Sequence, residues 1–225
     1  MIETWHDFSA SKGPLVGGRD GRYTVGNDLC VLLTLAVRQK PAQKRILEMY
    51  CAWGDTAVNL ATACPEARVF AFDSSREMGG WTAPVESSVA LLPLANVGQA
   101  IIGARGDVRE RIAFTVAKAE DLPGLVRLSA PYDMAWIDGN HTWECVLRDT
   151  ALALEVARPE GVLVWDDYWK HCPDVMEAID RMNDLTGNRI TLVQGTRVCY
   201  LHLSESLRLG LSGAVEKLRA IPRFG

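Results

Sequence analysis

No stretch of this 225-residue sequence is apolar for long enough to cross a bilayer. The longest apolar run, "LCVLLTLAV" (29–37), is short and carries Thr34. The start, "MIETWHDFSASKG", has neither the basic nor the apolar region of a secretory signal, so none is expected. No basic stripe interrupts the mixed charges, and a net charge of −4 with a pI near 5.6 argues against a nucleic-acid or anionic-membrane surface. No C-x-x-C occurs among Cys30, Cys51, Cys64, Cys145, Cys172 and Cys199. Scattered in this way, and without a secretion signal, they read as buried thiols in a reducing compartment, with the cytoplasm as the expected location. Repeats and low-complexity segments are also missing, and 48% hydrophobic residues suffice for one well-packed domain rather than two.

What is present alternates. Residues 1–27, rich in glycine and polar groups, read as an irregular arm or lid. Residues 28–39 carry apolar positions at helical spacing, and Pro41 ends that helix. Strands are expected at "RILEMY" (45–50), "RVFAFD" (68–73), "RIAFTVA" (111–117), "DMAWID" (133–138) and "GVLVWDD" (161–167). Helices fall at 55–64, 143–157 and 174–184, while 84–105 is helical or irregular. "RITLV" (189–193) and "RVCYLHL" (197–203) form a closing hairpin around "QGT". Strands apolar throughout and alternating with helices predict an α/β fold: a Rossmann-like, mostly parallel seven-stranded sheet with helices on both faces and a C-terminal antiparallel hairpin. The core is expected over 28–205, followed by an extension, 206–225. That extension and the N-terminal arm are the candidates for packing on a second subunit in a homodimer.

In such sheets ligands bind beyond the carboxyl ends of the strands. Glu48, Asp73, Asp138, Asp166 and Asp167 all lie there, so they are expected to share one crevice. After Glu48 a short turn contains Gly54 and a helix opens near Thr56, offering free N–H groups to an anionic group. Asp73 follows Gly54 by 19 positions (73 − 54), where an acid grips ribose hydroxyls. Solvated strand ends would explain Glu48 and Asp73 equally simply. A nicotinamide dinucleotide would want glycines at 50 and 52, and Tyr50 and Ala52 stand there, which counts against a dehydrogenase.

Asp138 precedes Asp166 by 28 positions (166 − 138) with one helix between, the spacing of neighbouring parallel strands. With Asp167 beside them, three carboxylates call for a positive charge, and a hard, oxygen-preferring divalent cation such as Mg²⁺ suits them. The alternative is that Asp166 and Asp167 only cap a turn. His141 stands by this cluster, where an ordinary imidazole pKa near 6.5 suits proton abstraction. Trp143 and Trp169 either wall the same mouth or belong to the core.

The stretches "RILEMYCAWGDTAVNLA", "RVFAFD" and "YDMAWIDGNHTWECVLRDTALALEVARPEGVLVWDDYW" resemble the class I S-adenosylmethionine-dependent methyltransferases. Within them they are most similar to the metal-dependent O-methyltransferases of the catechol and antibiotic-sugar branch. The resemblance covers roughly 28–203. It implies that Glu48, Tyr50, Gly54 and Thr56 belong to the loop around the methionine portion of the cofactor. By the same resemblance Asp73 would hold the ribose, Ala119 and Glu120 would border the adenine, and Asp138 would lie beside the cofactor. Asp138, Asp166 and Asp167 fall on the metal-ligand positions, and His141 on the catalytic one. Two departures stand out: Tyr50 where the family usually has glycine, and Glu160 within Pro159-Glu160-Gly161.

The expectation is therefore methyl transfer from S-adenosylmethionine to a hydroxyl of a small molecule, a catechol or a vicinal sugar diol, aided by Mg²⁺ or a similar divalent cation, with no nucleic-acid or membrane partner. Two alternatives stand beside it: a non-catalytic methyltransferase-like binding domain, for which Tyr50 is the main argument, and a metal-independent methyltransferase.

Overall fold

The computed structural model describes residues 2–4, 26–39, 44–74 and 97–222. Their strands are β1 (Ile2–Thr4), β2 (Arg45–Met49), β3 (Arg68–Ser74), β4 (Ile112–Ala117), β5 (Tyr132–Ile137), β6 (Ala157–Trp165), β7 (Thr191–Gln194) and β8 (Cys199–His202). Their helices are α1 (Gly26–Arg38), α2 (Asp55–Ala63), α3 (Gln99–Gly103), α4 (Gly106–Arg109), α5 (Leu122–Leu128), α6 (Trp143–Val156), α7 (Pro173–Leu185) and α8 (Glu205–Arg219). One sheet runs β1-β7-β8-β6-β5-β2-β3-β4. Only β8 runs antiparallel to its neighbours, β6 and β7.

All seven expected strands form, in the expected mostly parallel arrangement. The eighth, β1, pairs in parallel with β7 at the sheet edge, so the segment read as an irregular arm opens with a strand. Residues 5–25 of that arm, and 84–96 of the stretch read as helical or irregular, lie outside the described residues.

The central strands are apolar towards both sides because both sides are covered. Along β5, Met134 and Trp136 enter a core beneath α1 and α2, while Tyr132, Ala135 and Ile137 enter a second core beneath α5, α6, α7 and α8. All six β5 residues are buried. Asp133, buried on this strand, accepts the Arg45 N–H at 2.8 Å and pairs with Arg158 at 3.0 Å, so its charge is met.

Three helices were not expected from the sequence: the short α4, α5 and α8. Proline and glycine in "LPGLVRL" mask α5, although proline in the first turn is compatible with a helix start. In α8, Gly210 and Gly213 interrupt the pattern, yet Leu211, Ala214, Val215 and Leu218 form a buried stripe. That stripe packs on α6 and α7, so the C-terminal extension covers the chain's own core. No helix among the described residues is long and apolar enough to cross a membrane.

Candidate functional site

Strands β2, β3, β5 and β6 run parallel, so their carboxyl ends open on the same side of the sheet. The turn after β2 doubles back beneath the end of β3. Tyr50 and Cys51 both donate their N–H to the Phe72 carbonyl, at 2.7 and 3.0 Å, and Ala52 donates its N–H to Asp73 Oδ2 at 2.7 Å. Tyr50, Ala52 and Gly54 adopt left-handed backbone, with φ of 68°, 47° and 84°. These are the alternate positions at which glycine would be expected, and each non-glycine costs about 1–2 kcal/mol there. The turn therefore keeps its shape without two of its glycines. Gly54 itself is fixed by space as well: a Cβ would sit 2.5 Å from Ile101 Cγ1.

The Tyr50 side chain turns toward α6. Its hydroxyl contacts Asp149 Oδ1 at 3.3 Å and accepts from Arg148 at 3.0 Å, and its ring lies against Gly139, where a Cβ would be 2.7 Å away. Arg148 also pairs with Asp149 at 2.9 Å. Burial first, then the Asp149 charge, raises the Tyr50 phenol above its usual range. None of this trio's interplay was visible in the sequence, since nothing marks Asp149 as buried. Tyr50, Met49, Phe72, Ala119 and Asp149 border a cavity of about 220 Å³ between the strand ends, α5 and α6. Glu120 is exposed and does not border it.

Glu48 is buried, and its Oε2 has no hydrogen-bond partner among the described residues. Burial, then the charges of Asp138, Asp73 and Asp55, push its carboxyl well above the usual range. An orphaned carboxyl among acids is costly unless a cationic group comes to it. Thr56 is buried in the first turn of α2. Of the residues expected to hold the cofactor, Tyr50 and Ala119 border this cavity, while Glu48 lies close enough to Asp138 and Asp73 for their charges to raise it.

Asp138, Asp166 and Asp167 come together as expected, each offering an oxygen within 4.8 Å of the others. A cavity of about 20 Å³ lies between them, also lined by His141 and Asp149. That is room for about one water-sized occupant. Asp138 is pushed up to about 7, by burial first and then by the Asp167 charge. Burial, followed by Asp138 and Asp167, raises Asp166 as well.

An arginine absent from the sequence reading partly fills the expected gap. Arg197, from the turn between β7 and β8, pairs with Asp167 at 2.8 Å, with Asp28 of α1 at 2.9 Å and, more loosely, with Asp166 at 3.7 Å. Its backbone N–H also donates to Asp28, at 2.9 Å. The signal was weak: Asp28 and Arg197 are 169 residues apart, and only their burial reveals the pair. The guanidinium neutralises much of Asp167, while Asp138 has no such ion pair among the described residues.

His141 needs the larger correction. Its Nε2 lies 2.7 Å from Asp167 Oδ2 and its Nδ1 lies 3.4 Å from Cys172 Sγ. Burial alone would lower its pKa, but the hydrogen bonds to Asp167 and Cys172 outweigh burial and raise it to about 10. Both contacts favour the charged imidazolium, in contrast to the ordinary imidazole expected from sequence. Asp167, which burial would raise, is held below its usual range by His141 and Arg197. Of the two tryptophans, Trp143 is core, whereas Trp169 is 39% exposed beside the cluster and donates its indole N–H to Cys172 at 3.2 Å.

Solved structures share this architecture. An O-methyltransferase of Streptomyces achromogenes involved in tomaymycin synthesis, in complex with S-adenosylmethionine, is 20% identical, with a TM-score of 0.52 over 78% of this chain and 79% of that one. An O-methyltransferase of Bacillus cereus in complex with S-adenosylhomocysteine is 15% identical, with a TM-score of 0.51 over 77% and 78%. A precorrin-6y C5,15-methyltransferase of Geobacter metallireducens is 13% identical, with a TM-score of 0.52 over 87% and 91%. At these identities the likeness is one of fold. No curated protein sequence matches. A family described as a methyltransferase domain matches residues 49–168, more than half of the chain and the whole span from the β2 turn to the carboxylate cluster. The chain belongs to this methyltransferase-domain family, in keeping with the methyltransferase resemblance of its sequence.

Proposed function

We propose that this chain transfers the methyl group of S-adenosylmethionine to a hydroxyl of a small molecule, at the mouth formed by the ends of β5 and β6. The observation that carries this reading is the convergence, at one sheet edge, of the orphaned Glu48 carboxyl with the Asp138, Asp166 and Asp167 cluster. A degenerate scaffold has no use for a buried carboxyl lacking a partner. The Tyr50 backbone follows the glycine path and its ring turns to α6, which supports a cofactor loop at this turn.

The cofactor fits through Glu48, Asp73, Asp138 and the turn at 50–54, with Ala119 at the border of the adjoining cavity. A divalent cation fits Asp138 and Asp166, and takes Asp167 only in competition with Arg197 and His141. When bound, the cofactor supplies an electrophilic methyl on cationic sulfur, and a hard cation supplies the charge that acidifies a coordinated hydroxyl.

The chain's own residues do the rest. The crevice aligns the acceptor oxygen with the methyl carbon, and alignment matters because oxyanion and sulfonium neutralise each other during transfer. The oxygen–carbon bond forms as the sulfur–carbon bond breaks, and the hydroxyl proton passes to a base. His141 would serve as that base with its hydrogen bond to Asp167 released, since that bond is one of those that raise the imidazole's pKa. An acceptor with two adjacent oxygens, a catechol or vicinal diol, suits the paired carboxylates at the mouth.

Arg197 favours a second reading, in which transfer is metal-independent. There the guanidinium and the His141 imidazolium supply the positive charge, and Asp138, at about 7, takes the proton. Turnover measured with and without EDTA separates the two: loss on chelation supports the cation, and unchanged turnover leaves Arg197 in its place. His141→Ala lowers turnover by about 10²-fold if the imidazole is the base. Calorimetry with S-adenosylmethionine and its demethylated product tests the shared premise, and absence of binding to either overturns both readings.

A further inference from the structure

Beside the all-oxygen cluster lies a second set of donors, and it is chemically different. His141, Asp167 and Cys172 each offer one ligand atom within 4.8 Å of the others: a nitrogen, an oxygen and a sulfur. Cys172 Sγ accepts a hydrogen bond from Trp169 Nε1 at 3.2 Å, and an indole N–H can only donate, so the sulfur presents lone pairs to this pocket. His141 Nδ1 faces the same sulfur at 3.4 Å. The ring's other nitrogen lies 2.7 Å from Asp167 Oδ2, so a cation joined to all three donors would take the place of that hydrogen bond. Asp167 has a left-handed φ of 60°, uncommon for a residue other than glycine, and this turn places its carboxylate between His141 and Arg197.

We propose that His141, Cys172 and Asp167 form a binding site for a thiophilic divalent cation such as Zn²⁺, distinct from the oxygen cluster that suits a hard cation. A thiolate–imidazole–carboxylate set with an open fourth position is a donor set that Zn²⁺ and Co²⁺ prefer and Mg²⁺ does not. The two seats also differ in what they disturb. A hard ion using Asp138, Asp166 and Asp167 shares the cluster with the Arg197 guanidinium, which pairs with both Asp166 and Asp167. The thiophilic seat leaves Arg197 on Asp167 Oδ1, where it stands at 2.8 Å. Binding is an exchange of protons for metal: the Cys172 thiol proton and the proton on the coordinating His141 nitrogen leave to water as metal–sulfur and metal–nitrogen bonds form, with no change of oxidation state. The seat shares His141 and Asp167 with the proposed transfer site, so an ion bound in it withdraws both from that chemistry.

Co²⁺ titration of the full chain, followed by absorption, tests the proposal. The expected result is a thiolate-to-cobalt charge-transfer band that Zn²⁺ abolishes by competition and excess Mg²⁺ does not. Cys172→Ser removes the band and weakens Zn²⁺ binding by about tenfold or more, His141→Ala weakens it comparably, and Asp138→Asn leaves the band in place. Circular dichroism confirms that each variant is folded. Co²⁺ binding without a sulfur band, a band that survives Cys172→Ser, or no binding overturns the site. Calorimetry with S-adenosylmethionine on the same samples reports separately on the proposed activity.

Discussion

At the end of β2, Glu48 sits buried among Asp138, Asp73 and Asp55, and one of its oxygens has no partner among the described residues. At the ends of β5 and β6, a few residues along the same sheet edge, Asp167 is gripped by both Arg197 and His141. One half of the crevice leaves negative charge for an incoming cationic group to meet; the other meets much of it from within. Charge left unmet makes an opening for a cationic ligand, whereas charge already paired must be released before anything else can use it. Asp138, lying between the halves and raised to about 7, belongs partly to each.

The largest effect expected from breaking this contrast is at Asp138. Asp138→Asn should cut methyl transfer by about 10²-fold or more while circular dichroism stays native, because the side chain faces both the cofactor half and the carboxylate cluster. Retained turnover would detach the cluster from the chemistry. Glu48→Gln should weaken S-adenosylmethionine binding by about tenfold, or 1.4 kcal/mol, in calorimetry, since a charge meant for a cationic ligand is lost. Equal affinity would mean that the orphaned oxygen serves the fold alone. Arg197→Met should tighten Mn²⁺ binding several-fold, because Asp166 and Asp167 lose their resident cation, and should lower the metal-free melting temperature by a few degrees. Unchanged Mn²⁺ affinity would show that Arg197 does not compete for the seat.

The smallest effect concerns pH. The Asp138 carboxyl holds its proton more tightly in the folded chain than in the unfolded one, so this group's contribution to stability falls as pH rises from 3.8 to about 7. The metal-free melting temperature should decline across that window, and the decline should flatten in Asp138→Asn. A profile identical in the two proteins would contradict the raised value.

The sequence made the frame legible because strands buried on both faces leave continuous apolar runs, as in "DMAWID", and because acids cannot continue such runs into the core. The carboxylates therefore marked the strand ends and, with them, the crevice. Arg197 and Asp28 were not legible, since an ion pair between a hairpin turn and a helix start leaves no spacing to read. Cys172 was taken for a buried thiol, as it is, but its facing His141 depends on how the loops after β5 and β6 fold over each other. The sequence puts His141 beside the cluster, but its pKa, raised by Asp167 and Cys172 against the effect of burial, depends on neighbours that composition does not reveal.

The turn at 50–54 has a consequence for recognising relatives of this chain. Its path is held by a carboxylate on the adjoining strand, Asp73, clasping the Ala52 amide, so tyrosine and alanine follow a course otherwise written in glycine. A pattern search that insists on glycine at those two places would pass over such chains. In this chain the shape of the turn is marked by the pairing of a strand-end acid with the turn's amide.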